Sequence, residues 1–211
     1  MCSKRISLII RLSLIVAFSL GLFLPPKASA SDPMDQVKQS TEEIRKIFKE
    51  MNRPDQKEER NAKLRAIVRD RFDLEEMSKR ALARYWRDRT PEQKKEFVAL
   101  FSDLLENIYL KKIKKHEGEV QKHENDRVLY LDERIDDSYA SVRTKIITYT
   151  GKEIPVEYKL LRKDGKWKAY DVVIEGVSLI GNYRTQFNQI IRSSSYGDLI
   201  KRMRAKEITA P

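Results

Sequence analysis

The hydrophobic period of this chain changes twice, and the order of those changes constrains the fold more than any other feature. From Pro33 to Tyr109 apolar residues recur at helical spacing. After Gly118 they recur at every second residue, and from Ser178 onward the helical spacing returns. A run of helices, then consecutive strands joined by short turns, then helices again cannot build the alternating units of a parallel sheet. The pattern predicts an α+β fold, with an antiparallel sheet of about four or five strands and helices packed on one face.

The helices carry their own boundaries. Asp32-Pro33 reads as an N-cap followed by proline at the first helical position. Val37, Ile44, Ile47, Phe48 and Met51 follow at helical spacing, and Asn52-Arg53-Pro54 ends that segment. Leu64, Ile67 and Val68 mark a second short helix over Asn61 to Arg69. Asp73 and Glu76 form a capping-box pair, with Phe72 and Met77 placed as a hydrophobic staple. Thr90-Pro91-Glu92-Gln93 opens the strongest helix, which carries Phe97, Val98, Leu100, Phe101, Leu104, Leu105, Ile108 and Tyr109. That apolar arc is wider than one stripe, so this helix is expected to be covered on more than one side.

The strand signals are equally direct. Val128 to Ile135 reads as one strand. Ala140, Val142, Thr144, Ile146 and Thr148 alternate with Arg143 and Lys145, and Ile154, Val156, Tyr158 and Leu160 alternate with Glu157 and Lys159. Asp164-Gly165 is a tight hairpin turn leading into Trp167 to Ile174. Ser178 to Ile191 and Asp198 to Ala205 close the chain as helices.

Residues 1–30 read as a segment apart. Lys4 and Arg5 precede an apolar run to Leu24, followed by Pro25-Pro26 and the small-residue triplet Ala28-Ser29-Ala30. This is the pattern of a cleaved secretory signal peptide, and the run from Leu12 to Leu24 is short for a bilayer span of ~20 residues. An uncleaved anchor is the alternative reading. Residues 31–211 are expected to form a single domain that works outside the cytoplasm, in the periplasm. The segment carries Lys4, Arg5, Arg11 and Lys27 and no acid, so a net charge of +11 for the chain becomes +7 for the 181 residues that follow. The one cysteine, Cys2, lies in the segment, which leaves no thiol chemistry and no disulfide after cleavage.

A basic, exported chain with Glu42-Glu43, Glu58-Glu59, Glu75-Glu76 and Asp136-Asp137 breaking its basic stretches is not a nucleic-acid binder. Arg84, Arg87, Arg89, Lys111, Lys112, Lys114 and Lys115 are either solvated surface or candidates for docking acidic membrane partners. No catalytic set assembles. His116 and His123 have no second metal-ligand motif beside them, and no metal or cofactor is expected. Asp171, among Tyr170, Val172, Val173 and Ile174, is the one carboxylate that could serve as a general base in an apolar pocket. It could instead face solvent or pair with an arginine such as Arg184.

Two blocks carry a resemblance. The first runs from Arg71-Phe72-Asp73-Leu74 and Met77 through Tyr85-Trp86-Arg87, Thr90-Pro91-Glu92-Gln93 and Phe97 to Leu104-Leu105 and Tyr109. The second is Trp167-Lys168-Ala169-Tyr170-Asp171-Val172, Glu175-Gly176-Val177-Ser178-Leu179-Ile180, Asn182-Tyr183-Arg184, Gln186-Phe187 and Gly197-Asp198-Leu199-Ile200. Together they resemble the MlaC-type periplasmic phospholipid-binding proteins, the toluene-tolerance or ABC-transporter auxiliary component family. One departure is Ala83, where that family has a glycine before the Tyr-Trp pair.

The resemblance implies a curved antiparallel sheet wrapped by N- and C-terminal helices around an apolar lipid cavity. It implies a shuttle, not an enzyme: a soluble phospholipid carrier between an outer-membrane lipoprotein–porin complex and an inner-membrane ABC transporter with an MCE-domain subunit, maintaining outer-membrane lipid asymmetry. An enzyme of the NTF2-like kind using Asp171, a docking adaptor without lipid, and a hopanoid-binding relative are the rivals. Burial of acyl chains is worth ~0.8 kcal/mol per methylene, so unassisted passage of a two-chain lipid through water is very slow. On the carrier reading Val98, Phe101, Leu105, Tyr109, Val142, Ile146, Val156, Tyr158, Tyr170, Val172, Ile174 and Leu179 line the cavity. Gly176, at the strand-to-helix junction, either sets how Leu179, Ile180 and Tyr183 pack across its edge or is only a turn residue.

Overall fold

A computed structural model describes residues 32–115 and 127–209, with side chains described for 32–108 and 127–209. The N-terminal segment read as a signal peptide and both histidines lie outside the described residues. Among those described, no helix is long and apolar enough to cross a membrane.

Helix α1 (Pro33–Glu50) leads through a 3-10 turn (Pro54–Gln56) into α2 (Lys57–Arg71), α3 (Leu74–Leu82), the single turn α4 (Arg84–Arg87) and the long α5 (Pro91–Lys115). Five strands follow: β1 (Arg127–Asp136), β2 (Tyr139–Ile147), β3 (Glu153–Lys163), β4 (Lys166–Ile174) and β5 (Val177–Ser178). They pair in sequence order, each antiparallel to the next. Helices α6 (Leu179–Ser193) and α7 (Tyr196–Arg204) finish the chain. The α+β expectation is met, and the sheet has five strands. Strand β5 and the short α4 carry too little pattern to be read from sequence.

The register follows from the alternation. Val142 stands opposite Tyr158, and Tyr158 opposite Val172, so one face of the sheet is apolar across three strands. The other face carries Arg143, Lys145, Glu157 and Lys159. Two bulges interrupt the ladder, Leu131 in β1 and Tyr170 in β4. Each inserts one unpaired residue, which bends and twists its strand and curves the sheet.

Two separate hydrophobic clusters hold the layers. Met34 and Val37 of α1 pack with Ala140, Val142, Leu160 and Trp167 on the apolar sheet face. Beside the sheet, α3, α5, α6 and α7 enclose a second cluster built around Phe97, Phe101, Tyr183 and Phe187, all within 1% of full burial. Their rings meet at 5.2–5.9 Å between centroids, mostly edge to face, the favoured aromatic geometry.

Buried polar groups fix how α1 sits. The side-chain amide of Gln36, on α1, donates to the Trp167 carbonyl and accepts from the Trp167 amide at 3.3 Å, replacing the strand partner β4 lacks there. Glu133 accepts from the Met34 amide at 2.9 Å, an acid at a helix N-terminus. Burial, with the neighbouring Asp32, pushes the Glu133 carboxyl above the usual range. The cap at Thr90 is reciprocal: Gln93 N–H donates to Thr90 Oγ1, and Thr90 N–H to Gln93 Oε1.

Asp73 joins α3 to the sheet. It accepts from the Glu76 amide at 3.0 Å, its own amide donates to the Ala169 carbonyl, and Lys163 sits 2.9 Å from its carboxylate. Burial pushes this carboxyl up, but the amide and Lys163 together outweigh burial and hold it below the usual range. A depressed pKa contributes stability above the ordinary aspartate value of about 4, lost as pH falls through the lower folded value. Asp73→Asn keeps the cap and removes the charge. Urea melts should show the native protein more stable than this variant at neutral pH, with the difference vanishing as pH falls below about 4.

Ala83 caps α3 with φ 50° and ψ −125°, a conformation that favours glycine. The departure noted in the sequence is therefore a strained residue. Ala83→Gly should raise stability by roughly 1 kcal/mol, the relief of strain exceeding the added freedom of the unfolded chain. A higher urea midpoint with an unchanged slope checks this.

Candidate functional site

Between the two clusters lies a cavity of about 300 Å³. Tyr158, Val172 and Ile174 form its sheet wall. Ile44 of α1 with Leu64 and Val68 of α2 form a second wall. Phe72, Leu74 and Met77, flanking the α2–α3 junction, close one side, and Leu105 and Leu179 close another. Only Arg65 and Glu106 bring charge to the lining. Ile174 is 41% exposed and the neighbouring Val177 is 53% exposed, so the sheet wall opens to solvent at the β4–β5 end.

The local sequence explains the lining. In β3 and β4 the residues facing the cavity are the apolar half of the alternation. On α2, Leu64 and Val68 are four residues apart and share a face. The staple residues Phe72 and Met77 meet across the start of α3 and present their outer surfaces to the cavity. The wide arc of α5 serves both: Phe97, Phe101 and Leu105 belong to the helical cluster, and Leu105 also lines the cavity. Burial raises the Tyr158 phenol pKa, with Tyr130 nearby adding to the rise, so this wall stays uncharged.

The nominated residues thus separate. Leu105, Tyr158, Val172, Ile174 and Leu179 are at the cavity. Phe101 belongs to the solid helical core and Val142 to the core under α1. Val156 is buried on the same sheet face without lining the cavity, while Val98 and Ile146 are half-buried away from it. Tyr170, the bulged residue, packs edge-on against Tyr139 with the Arg80 guanidinium 4.0 Å from its ring centre. The bulge shifts the alternation by one residue, which a strand read from sequence cannot show. The Tyr109 side chain lies outside the described residues. Ile44, Leu64, Val68, Phe72, Leu74 and Met77 were legible as helix-face residues but not as cavity walls. Arg65 and Glu106 carry no sequence signal.

Gly176 lies in a different setting from the one expected. A two-residue strand intervenes before α6, and Glu175 and Gly176, at φ 50° and 82°, form the hairpin turn between β4 and β5. A Cβ on Gly176 would meet nothing within 4 Å. Of the three residues tied to this junction, Leu179 reaches the cavity, while Ile180 and Tyr183 are buried in the helical core.

Asp171 neither faces solvent nor pairs with Arg184. It is 7% exposed, and its carboxylate accepts from Ser178 Oγ at 2.6 Å and from the Ile180 amide at 3.0 Å. Ser178 Oγ in turn accepts from the Gly181 amide at 2.8 Å, capping α6. Both oxygens are committed to the first turn of that helix, and Asp171 does not line the cavity. Its arrangement is that of a structural anchor, so the general-base alternative has no geometry to act through. Among the described residues, no group of acids, histidines or cysteines is placed to hold a metal ion.

Of the arginines nominated for docking, Arg87 projects fully, its side chain 91% exposed beside Asp88. Arg84 is held by Tyr85 and Asn188, and Arg89 lies over the Tyr196 ring. The side chains of Lys111, Lys112, Lys114 and Lys115 lie outside the described residues.

Removing the Asp171 carboxylate strands the Ile180 amide and the Ser178 hydroxyl. Asp171→Ala should cost about 2 kcal/mol in a urea melt, the range for unsatisfied buried donors.

Comparison with known proteins agrees with this architecture. The chain is 26% identical over 200 residues to the intermembrane phospholipid transport system binding protein MlaC of Haemophilus influenzae, covering 90% of this chain and 89% of that one. It is 29% identical over 185 residues to the toluene tolerance protein ttg2D of Pseudomonas putida, covering 85% and 81%. A solved phospholipid-binding protein from Ralstonia solanacearum, in complex with a phospholipid, shares the fold at a TM-score of 0.66 and 23% identity, covering 83% of this chain and 97% of that one. Residues 38–205 match the family described as MlaC protein, and with most of its length so matched the chain belongs to the MlaC family.

Proposed function

We propose that this protein is a periplasmic phospholipid carrier. On this reading residues 1–30 are removed on export and residues 31–211 act as one lipid-binding domain, holding acyl chains in the cavity with the headgroup toward solvent. The cavity carries the proposal: a concave site with walls of aliphatic and aromatic side chains on a sheet and five helices. The phospholipid-transport and phospholipid-binding names of its relatives support the choice of cargo. Exchange runs between an outer-membrane lipoprotein–porin complex and an inner-membrane ABC transporter with an MCE-domain subunit. Arg84, Arg87 and Arg89, with the lysines at the end of α5, steer those encounters.

The direct test is mass spectrometry of an organic extract of the purified protein, with Val172→Trp as the blocked variant. The indole fills the cavity from the sheet side, at a folding cost of about 1–3 kcal/mol. Phospholipid should accompany the native protein and be lost from the folded variant. Phospholipid absent from native protein, or retained in full by Val172→Trp, would contradict the assignment.

A further inference from the structure

The cavity wall contains an ion cluster in which Arg65 and Arg69 share Glu106. Glu106 of α5 faces the cavity with its side chain only 7% exposed. Arg69 of α2 takes its carboxylate with a fork, Nε at 2.9 Å and Nη2 at 3.4 Å. Arg65, one turn earlier on α2, also lines the cavity but reaches Glu106 only through Nε at 3.4 Å. Among the described residues, Glu106 is the only acid within ion-pair distance of Arg65. Two guanidinium groups therefore share the one carboxylate that lines the cavity, and the charge of Asp103 also acts on Arg69.

A buried carboxylate in such a wall is costly unless it is paired. Here the pairing holds Arg65 in the cavity lining, with Arg69 beside it. Arg65 is 39% exposed at its side chain, so it meets both solvent and the apolar interior. A guanidinium in that position is suited to a phosphate oxygen, which it binds through two parallel N–H donors.

We propose that Arg65, positioned by the Arg69–Glu106 pair, binds the phosphodiester of the cargo lipid where its partly exposed guanidinium enters the cavity lining. The proposal rests on the carrier reading and narrows its cargo. A phosphodiester offers a charged acceptor to the Arg65 guanidinium, which Glu106 holds only through Nε. An uncharged lipid of similar apolar shape, a diacylglycerol or a polycyclic hydrocarbon, offers no such acceptor. The site therefore selects for the presence of a phosphate rather than for the group beyond it. Glu106 stands beside that position and disfavours a second negative charge on the headgroup.

The test offers lipid-stripped protein vesicles containing phosphatidylglycerol and diacylglycerol with the same acyl chains, and measures by mass spectrometry the ratio loaded. The native protein should favour phosphatidylglycerol, and Arg65→Gln should lower the ratio about tenfold, the loss of one charged hydrogen-bonding group. Arg65→Lys, which keeps the charge and loses the fork, should fall between them. An unchanged ratio in Arg65→Gln, with both lipids still loaded, overturns this inference and leaves the carrier reading standing. Native protein that loads neither lipid overturns the carrier reading, and this inference with it. Glycerophosphate, which has no chains, serves as the soluble probe. Arg65-dependent binding of glycerophosphate alone would mark a site for free phosphate esters and overturn the lipid headgroup assignment; no binding is expected.

Discussion

A void can persist in a protein only if its walls are held by something other than one another. Apolar side chains around an empty space lose contacts, at roughly 24 cal/mol per Å³ of void, and the surroundings tend to collapse inward. In this fold two independent cores resist that collapse. Trp167, Val142 and Leu160 are packed solid under α1, and Phe97, Phe101, Tyr183 and Phe187 are packed solid among the last helices. The cavity lies between them, with Leu105 and Met77 from one core and Tyr158 from the margin of the other in its walls. Each wall is anchored from behind, so the space in front remains available to cargo.

The buried polar residues serve the same end. Gln36 ties α1 to the start of β4, Asp73 ties α3 to Ala169 and Lys163, and Asp171 ties α6 to the end of β4. All three fix a helix near its N-terminus, Asp73 and Asp171 by accepting from first-turn amides and Gln36 by bonding the Trp167 backbone. All three converge on β4, the strand that also supplies Val172 and Ile174 to the cavity. Asp171 shows how such a residue misleads. A carboxylate among apolar neighbours has the composition of a catalytic base, but its oxygens are already occupied by a helix terminus. Helix α2 is tied differently: it meets the cavity through Leu64, Arg65 and Val68, and Arg65 and Arg69 pair with the buried Glu106 of α5.

The sequence by itself determined the order of elements, most of their boundaries and the inward faces of the central strands. Those depend on local rules: capping residues, turn residues and the two hydrophobic periods all act within a few positions of one another. The box at Thr90 and Gln93, the turn at Asp164-Gly165 and the alternation through Val142 and Tyr158 are all as the sequence implied. Tertiary structure decided which apolar residues bound a space and which fill one. Phe101 and Leu105 lie one helical turn apart, equally apolar, yet one meets Tyr183 and Phe187 and the other meets the cavity. The bulge at Tyr170 turned one nominated side chain toward Arg80 and Tyr139. The meeting of Arg65 with Glu106 depends on the crossing of α2 and α5. A cavity is defined by the absence of neighbours, and no residue type or spacing records what stands opposite it in space.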